Sequence, residues 1–562
     1  MAEGERRSER VRYRFSPLER RGVIAGWRGG QIASVAAGLV VGVFGLRSSP
    51  SVAGVLIALA SVAAAVAFAF WPVLGRTGDQ WLPLGVRWLW VRGLGNGRQH
   101  APGPGHGHRV SLDPVGSPRG GSTPGSSGVR YSMAPPLGPV GARSGRSVFS
   151  GLTVVGVPFG PASSPTEVGV VIDGPSRTAT AVLSVQGHSF ALLGPTDQDA
   201  RIAAWARVLS AMAREGSAVH RIQWIESCLP DDGSSVRNHW ATHAVLGADT
   251  PAGRSYQALV DEAAPVTRRH RVVLSLSIHT AHSSRSIRTA GRGLAGIGTV
   301  LGREVLALHR ALDGADISVV GVLGPAALAR TFSETYAPTR GASGHVAPDP
   351  DAAARAEKGR WPAPPGPDPD HSDHAHHPEH AEKPGHTHHP AAPWPWPMAV
   401  EPHWDAVRTD ATWHATYWIA EWPRVDVTPD FLGPVLFSSL RRSVVMVMEP
   451  VSPTRAARQV AQARTADIAD GELRRRGGFL VTARHTRERE SVEDRDAELA
   501  DGHAQFRFSG YVTLTADSRP ELDAARAVLE QAAGQARIEL RLLFGEKDTA
   551  FACSLPLGRG LS

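Results

Sequence analysis

Apolar and polar positions divide the chain unevenly. Two uncharged apolar runs, 31–46 and 52–74, stand near the start, separated by Arg47-Ser48-Ser49-Pro50-Ser51. A helix of roughly 20 apolar residues spans a ~30 Å hydrocarbon core. The second run exceeds that length, and the first reaches it once Gly29 and Gly30 are counted. The spacer suffices only for a tight turn, so the pattern predicts a transmembrane helical hairpin. A buried hairpin in a soluble core is the bland alternative, but uncharged runs this long are rare in soluble folds. A cleaved signal peptide fits poorly, because the apolar region is doubled and no small-residue cleavage site follows.

After the hairpin the pattern becomes that of folded domains joined by linkers. The stretch 78–93 carries Trp81, Trp88 and Trp90 with Arg87 and Arg92. It suits either the membrane interface or a helix packed on a cytoplasmic domain. Residues 94–139 are rich in Gly, Pro and Ser and poor in apolar side chains, the signature of a flexible linker. From 140 to 340, β-branched segments at 151–158, 168–173 and 178–185 read as strands, and 188–193 as a fourth. A helix is expected from Thr196, with Thr196 and Asp199 as a capping box and Ile202, Trp205, Leu209 and Met212 on its apolar face. Strands at 219–227, 271–278 and 316–323 alternate with helices at 256–264, 285–312 and 326–336.

The second domain is expected over 399–562, after a linker at 341–398. Strands are predicted at 413–422, 442–449, 505–516 and 537–543, with helices at 431–440 and 519–531. Between 452 and 502 lies a charged helical arm that starts at Pro453 and breaks at Gly477-Gly478. The fold class is therefore α/β (α+β), with ferredoxin-like units, behind a two-helix membrane hairpin.

Charge adds direction. Arg6, Arg7, Arg10, Arg12, Arg14, Arg20, Arg21 and Arg28 precede the hairpin in a basic tail, 1–28, and Arg76, Arg87, Arg92 and Arg98 follow it, whereas the turn carries only Arg47. Basic residues beside membrane spans stay cytoplasmic, so both termini are expected inside. A net charge of +7 over 562 residues suits an anionic membrane surface and does not argue for nucleic-acid binding. Two cysteines, Cys228 and Cys553, cannot build a disulfide framework and agree with a reducing cytoplasm.

Catalytic motifs are scarce. A P-loop needs glycines followed by Lys beside Ser or Thr. None of Lys358, Lys383 and Lys547, the only lysines, has that setting. Gly291-Arg292-Gly293-Leu294-Ala295-Gly296 matches GxGxxG, but it falls inside an expected helix, where close helix packing explains it. His188 and His220 stand on expected strands without evident partners. Asp494, Asp496 and Glu498 with Arg487, Arg489 and Arg495 read as a solvated helix face. His371, His374, His376, His377, His380, His386, His388 and His389 lie in the Pro-rich linker, which lacks the fixed geometry a metal site needs. No catalytic, cofactor or metal residue is nominated.

The order of parts nevertheless has a counterpart. The basic tail, the hairpin and GRTGDQWLPLGVRWLW resemble the small PrgI-type membrane subunit of Gram-positive conjugation machines. GLTVVGVPFGP with VGVVIDG, HSFALLGPTDQDARIAAWARVLSAM leading into IQWIE, LRRRGGFLVTARHTRERESVEDRDAELADGH before FRFSGYVTL, and AFACSLPLGRGL resemble the amino-terminal, non-catalytic half of the type IV secretion ATPase. Together they are similar to the actinobacterial integral membrane protein family of type IV secretion-like loci. The resemblance implies an oligomeric structural component that docks a separate ATPase and other channel subunits at the cytoplasmic membrane. Its expected contact is the arm, 474–501, or the carboxy-terminal residues. Without a P-loop, ATPase activity does not carry over. A membrane-bound scaffold or regulator unrelated to secretion, or an enzyme with an unrecognised site, is the competing class.

Overall fold

The computed structural model describes residues 29–48, 51–72, 76–93, 99–100, 130–132, 148–149, 151–159, 166–187, 190–231, 233–244, 247, 249–263, 267–337, 396–477 and 483–560. The basic tail, His188 and the histidine tract of the second linker lie outside them. Helices α1 (Gly29–Ser48) and α2 (Val52–Phe70) are the two that are long and apolar enough to cross a membrane, at 20 and 19 residues. They pack through small residues: a Cβ on Gly38 would lie 2.3 Å from that of Ala65, and one on Gly42 would meet Ser61 and Ala58. Such small-residue faces allow the close backbone approach by which helices associate in lipid. Gln31 Nε2 donates to Ala69 O at 3.1 Å and ties the start of α1 to the end of α2. Outward side chains such as Val40, Phe44, Val52 and Leu59 are exposed, unlike those of a core hairpin.

Helix α3 (Gly78–Gly93) follows, containing Pro83. Two short strands, β1 (Gln99–His100) and β2 (Arg130–Ser132), fall inside the stretch expected as linker. The first half then runs β3 (Leu152–Phe159), β4 (Thr166–Asp173), β5 (Thr178–Gln186), α4 (Pro195–Met212), β6 (Val219–Pro230), α5 (Ser234–His243), α6 (Pro251–Ala263), β7 (Arg268–His279), α7 (Ser284–Thr289), α8 (Gly293–Asp313), β8 (Ser318–Val322) and α9 (Pro325–Tyr336). The second half runs β9 (Ala399–Pro402), β10 (Val407–Thr409), β11 (Thr412–Glu421), α10 (Gly433–Leu436), β12 (Arg442–Pro450), α11 (Pro453–Gly477), α12 (Ala483–Ala500), β13 (Phe506–Ala516), α13 (Arg519–Gln535), β14 (Glu539–Leu542) and α14 (Lys547–Ala552).

Several expected elements move. Residues 190–192 form a 3-10 turn rather than a strand, with Phe190 O accepting from Leu193 N and Gln198 Nε2. Helix α4 starts one residue earlier than expected: Gly194 is its N-cap and Pro195 its first residue, so no capping box forms at Thr196. Proline suits that place, where no N–H is needed. The single helix expected over 285–312 is two. Gly291, Arg292 and Gly293 all take positive φ (116°, 57° and 54°), which breaks the turn between α7 and α8. Gly296 packs against Ile287 O, where a Cβ would come within 2.2 Å, so that glycine serves helix packing as expected.

All the strands share one 14-stranded sheet, in the order β1-β9-β10-β11-β13-β12-β6-β7-β5-β4-β3-β2, with β8 on β5 and β14 on β11. Every ladder is antiparallel, from β2–β3 at one edge to β1–β9 at the other. Helix crossovers skip a strand, so the strands they join flank one of opposite direction. The halves meet where β6 pairs with β12, Cys228 opposite Arg442 through Ile222 opposite Met448. They repeat a pattern. The edge of β5 is shared by β4 and β8, and that of β11 by β10 and β14. A helical insertion joins β6 to β7 (α5–α6) and another joins β12 to β13 (α11–α12). One sheet face packs on α4 and α8 in the first half and on α13 in the second. The other face carries a core common to both halves, in which α9 and residues 551–557 cover Val182, Ile225, Val445, Val447 and Tyr511.

Candidate functional site

Strand alternation decides what lies over the seam. On β6, Gln223 and Ile225 point to the common core, whereas Ile222 and Trp224 point to the helices. The carboxy-terminal segment crosses this seam, and Gln223, fully buried, fixes it. Its Nε2 donates to Cys553 O at 2.8 Å and to Leu555 O at 3.0 Å, and its Oε1 accepts from Gly558 N at 2.7 Å. Around it, Arg221 donates to Gly558 O at 3.1 Å, Thr513 pairs with Ser554 at 3.1 Å, and the Tyr511 hydroxyl donates to Gly560 O. Phe551, Leu555 and Leu557 are each 1% exposed. The segment expected as a partner surface is therefore part of the core that joins the halves. Burial also pushes the Cys553 thiol up to about 12, so it remains an unreactive thiol.

Also across the seam, Arg442 Nη1 donates to Glu226 Oε2 at 2.8 Å, while its Nε donates to Val435 O at 2.6 Å. Both residues are buried, and His270 Nδ1 lies 2.7 Å from the second carboxylate oxygen. Ser227 and Ser443 add a hydroxyl pair at 3.1 Å.

A second junction joins the membrane hairpin to the sheet. Trp81 stacks on Trp404 at 5.8 Å and leans on Phe544 at 5.9 Å, while Trp88 meets Trp404 edge-on at 5.3 Å. Arg76 reaches Glu546 at 3.5 Å. At its other side, a Cβ on Gly78 would fall 2.5 Å from the Phe68 ring, so α3 lies wedged against α2 as well. These two tryptophans thus pack on protein, the second of the roles expected for 78–93. Beneath them Lys547 is 1% exposed, and its Nζ has no hydrogen-bond partner and lies 5.4 Å from the Phe544 ring centroid. Burial, then the nearby Arg526, pulls its pKa from 10.5 down to about 6.

A cavity opens where the carboxy-terminal segment passes the ends of β5, β6 and β7. Its volume is about 380 Å³. His279 and His282 stack in its wall at 4.0 Å, and His220 stands edge-on to His279 at 5.2 Å. Burial and the adjacent Arg221 lower the His220 pKa to about 4, and burial lowers that of His279 too. The sequence alone shows no evident partners for His220. The β6–β7 register supplies them by setting Val219 opposite Ile278. Two histidines three residues apart at and just beyond the end of one strand, and a third near the start of another, were the sequence signal. Among the described residues no His, Cys, Asp and Glu group is arranged to hold a metal ion.

Among the described side chains of the charged arm, Arg455, Arg458, Glu490 and Glu493 are exposed. Arg464 of α11 pairs with Asp496 of α12 at 2.5 Å, and Ile468 on α11 is 73% exposed. A scan against protein-family models finds no match to the chain, and a search of curated proteins finds no relative.

Proposed function

We propose that the chain is a non-enzymatic, membrane-anchored component of a type IV secretion- or conjugation-like translocation apparatus that holds a separate ATPase at the cytoplasmic membrane face. The observation that carries this reading is the α3 junction. It couples a hairpin able to cross a membrane to a broad, continuous sheet from which a charged helical arm projects. A platform needs such stiffness between anchor and docking surface, because a loose tether would let the partner wander. Both termini lie in the cytoplasm by the arginine distribution. Each half is read as a ferredoxin-like unit, β5-α4-β6-β7-α8-β8 and β11-α10-β12-β13-α13-β14. The strand orders β8-β5-β7-β6 and β14-β11-β13-β12 support this.

The proposed contact is the arm. We favour the arm over the carboxy-terminal residues because it carries the exposed Ile468, whereas Phe551, Leu555 and Leu557 are buried. The test is a gentle-detergent pull-down of the tagged full chain from its native membrane, beside a variant with α12 replaced by a Gly/Ser loop. Recovery of a P-loop ATPase by the wild type and its loss from the variant supports the reading. Recovery of this chain without secretion subunits sinks it and leaves a membrane scaffold or regulator.

A further inference from the structure

Two charged faces at one end of the sheet meet no partner among the described residues. The first is basic. Helix α7 carries Arg285 and Arg288 three residues apart, on one side of the helix, and Arg292 follows at the break before α8. Thr280 donates to Arg177 O from its amide at 2.8 Å and from its hydroxyl at 3.0 Å, so the β4–β5 turn brings Arg177 alongside. All four arginines are exposed, and their side chains make no ion pair or hydrogen bond among the described residues. Their own segments supply no free carboxylate. The chain has no acidic residue over 174–196 or 263–303. Asp173 is buried and holds Arg559 at 2.8 Å, and Glu304 is buried and holds Arg214 at 2.9 Å.

The second face is acidic. On α12, Val492 is buried, Asp496 pairs with Arg464 of α11, and Leu499 is half-buried. These positions mark the side that faces α11. Glu490, Asp494, Glu498 and the adjoining Asp501 recur at helical spacing on the opposite side. All four are exposed, and none makes an ion pair or a side-chain hydrogen bond among the described residues. Like charges at this spacing destabilise a helix, a cost that a partner of opposite charge offsets. Both faces lie at the end of the sheet where Ile222 stands opposite Met448 and Pro450 opposite Phe506. Within one chain they stay apart. The arm is held at its root by Thr454, whose hydroxyl donates to Glu215 at 2.7 Å, and by Val451 N, which donates to Gln505 O at 2.9 Å.

We propose that the acidic face of α12 docks on the basic face of α7 and Arg177 in a second copy of this chain, joining copies head to tail. Complementary charge selects this occupant. A row of four unpaired carboxylates about 16 Å long fits a cluster of four unpaired guanidinium groups, each able to hold a carboxylate through two hydrogen bonds. The contact uses two different surfaces, so every copy keeps one of each for a further neighbour, and the series closes as a ring where the rotation permits. Hairpins held in one membrane raise the effective concentration of the copies, so exposed pairs that are weak singly suffice together. This contact does not depend on the secretion reading, since Ile468 lies on α11.

Sedimentation velocity of the full chain in detergent micelles tests it. The wild type should self-associate at about 0.05 M salt and at least ten-fold more weakly at about 0.5 M. Asp494→Arg with Glu498→Arg in one variant, and Arg285→Glu with Arg288→Glu in another, should each weaken self-association at least about ten-fold. An equimolar mixture of the two variants should associate again, because each then offers the other an opposite charge at both faces. A misfolded variant cannot give that rescue. A wild type that stays monomeric at low salt, association that neither reversal weakens, or a mixture that stays apart overturns the proposal. If the mixture stays apart and Arg285→Glu with Arg288→Glu also loses binding to phosphatidylglycerol vesicles, the basic face belongs to lipid instead.

Discussion

Replacing Gln223 with Leu should loosen the fastening between the halves. The two side chains are similar in size, so packing changes little. What changes is that Cys553 O and Gly558 N lose their partner, whereas Leu555 O keeps a bond from Leu557 N. Each buried backbone group left unpaired costs about 1–3 kcal/mol, so with two such groups the variant should lose roughly 2–6 kcal/mol. That is a large part of a typical stability of about 5–15 kcal/mol. Hydrogen exchange on the full chain in nanodiscs measures it locally, which avoids assuming one all-or-none transition. Protection should fall by at least about ten-fold over α14 and residues 553–558, and at the facing β12 and β13 amides, while the outer strands β3 and β4 keep theirs. If the amides of residues 553–558 exchange as in wild type, or the loss is below ~1 kcal/mol, the segment is held by apolar packing alone and the reasoning fails.

Other substitutions probe separate joints. Gly38→Leu should separate α1 from α2, because its first side-chain carbon alone would clash with Ala65; reduced cross-linking between cysteines placed at the two helix faces would register it. Trp404→Ala should release α3, seen as faster proteolysis between 76 and 93, with a cost of about 3–5 kcal/mol for the junction. Lys547→Met should raise stability at neutral pH. The unfolded chain takes up a proton below 10.5, but the folded chain does so only near 6, so wild-type stability falls as pH drops through that window. Its contribution is up to about 1.4 kcal/mol per pH unit. Denaturation midpoints measured between pH 9 and 6 should decline less in the variant than in wild type.

Local chemistry made much of this fold legible. Uncharged runs mark α1 and α2, β-branched alternation marks β3 to β7, and Gly477-Gly478 falls where α11 ends. The miss at α7–α8 has a local cause: apolar spacing continues through Gly291-Arg292-Gly293 although their positive φ ends the helix. The larger gap is non-local. Ser227 and Ser443, paired across the seam, lie 216 residues apart, and no short-range pattern announces such a ladder. The repeat of the two halves is equally silent, because strand order is conserved between them while the helices inserted and the residues at matching places differ. The carboxy-terminal segment reads as an apolar run without period, and only its contact with Gln223 reveals its use. The cavity depends on register, which brings His220 beside His279 and His282 only when β6 pairs with β7.

The platform role itself is tested most directly by a photo-crosslinking residue at Ile468, exposed on the arm, in the full chain expressed in its native membrane. The account predicts a covalent adduct with a nucleotide-binding translocation subunit from this position and none from Leu555, which lies in the core. An arm that captures no such subunit, in membranes where the apparatus is present and active, would contradict it.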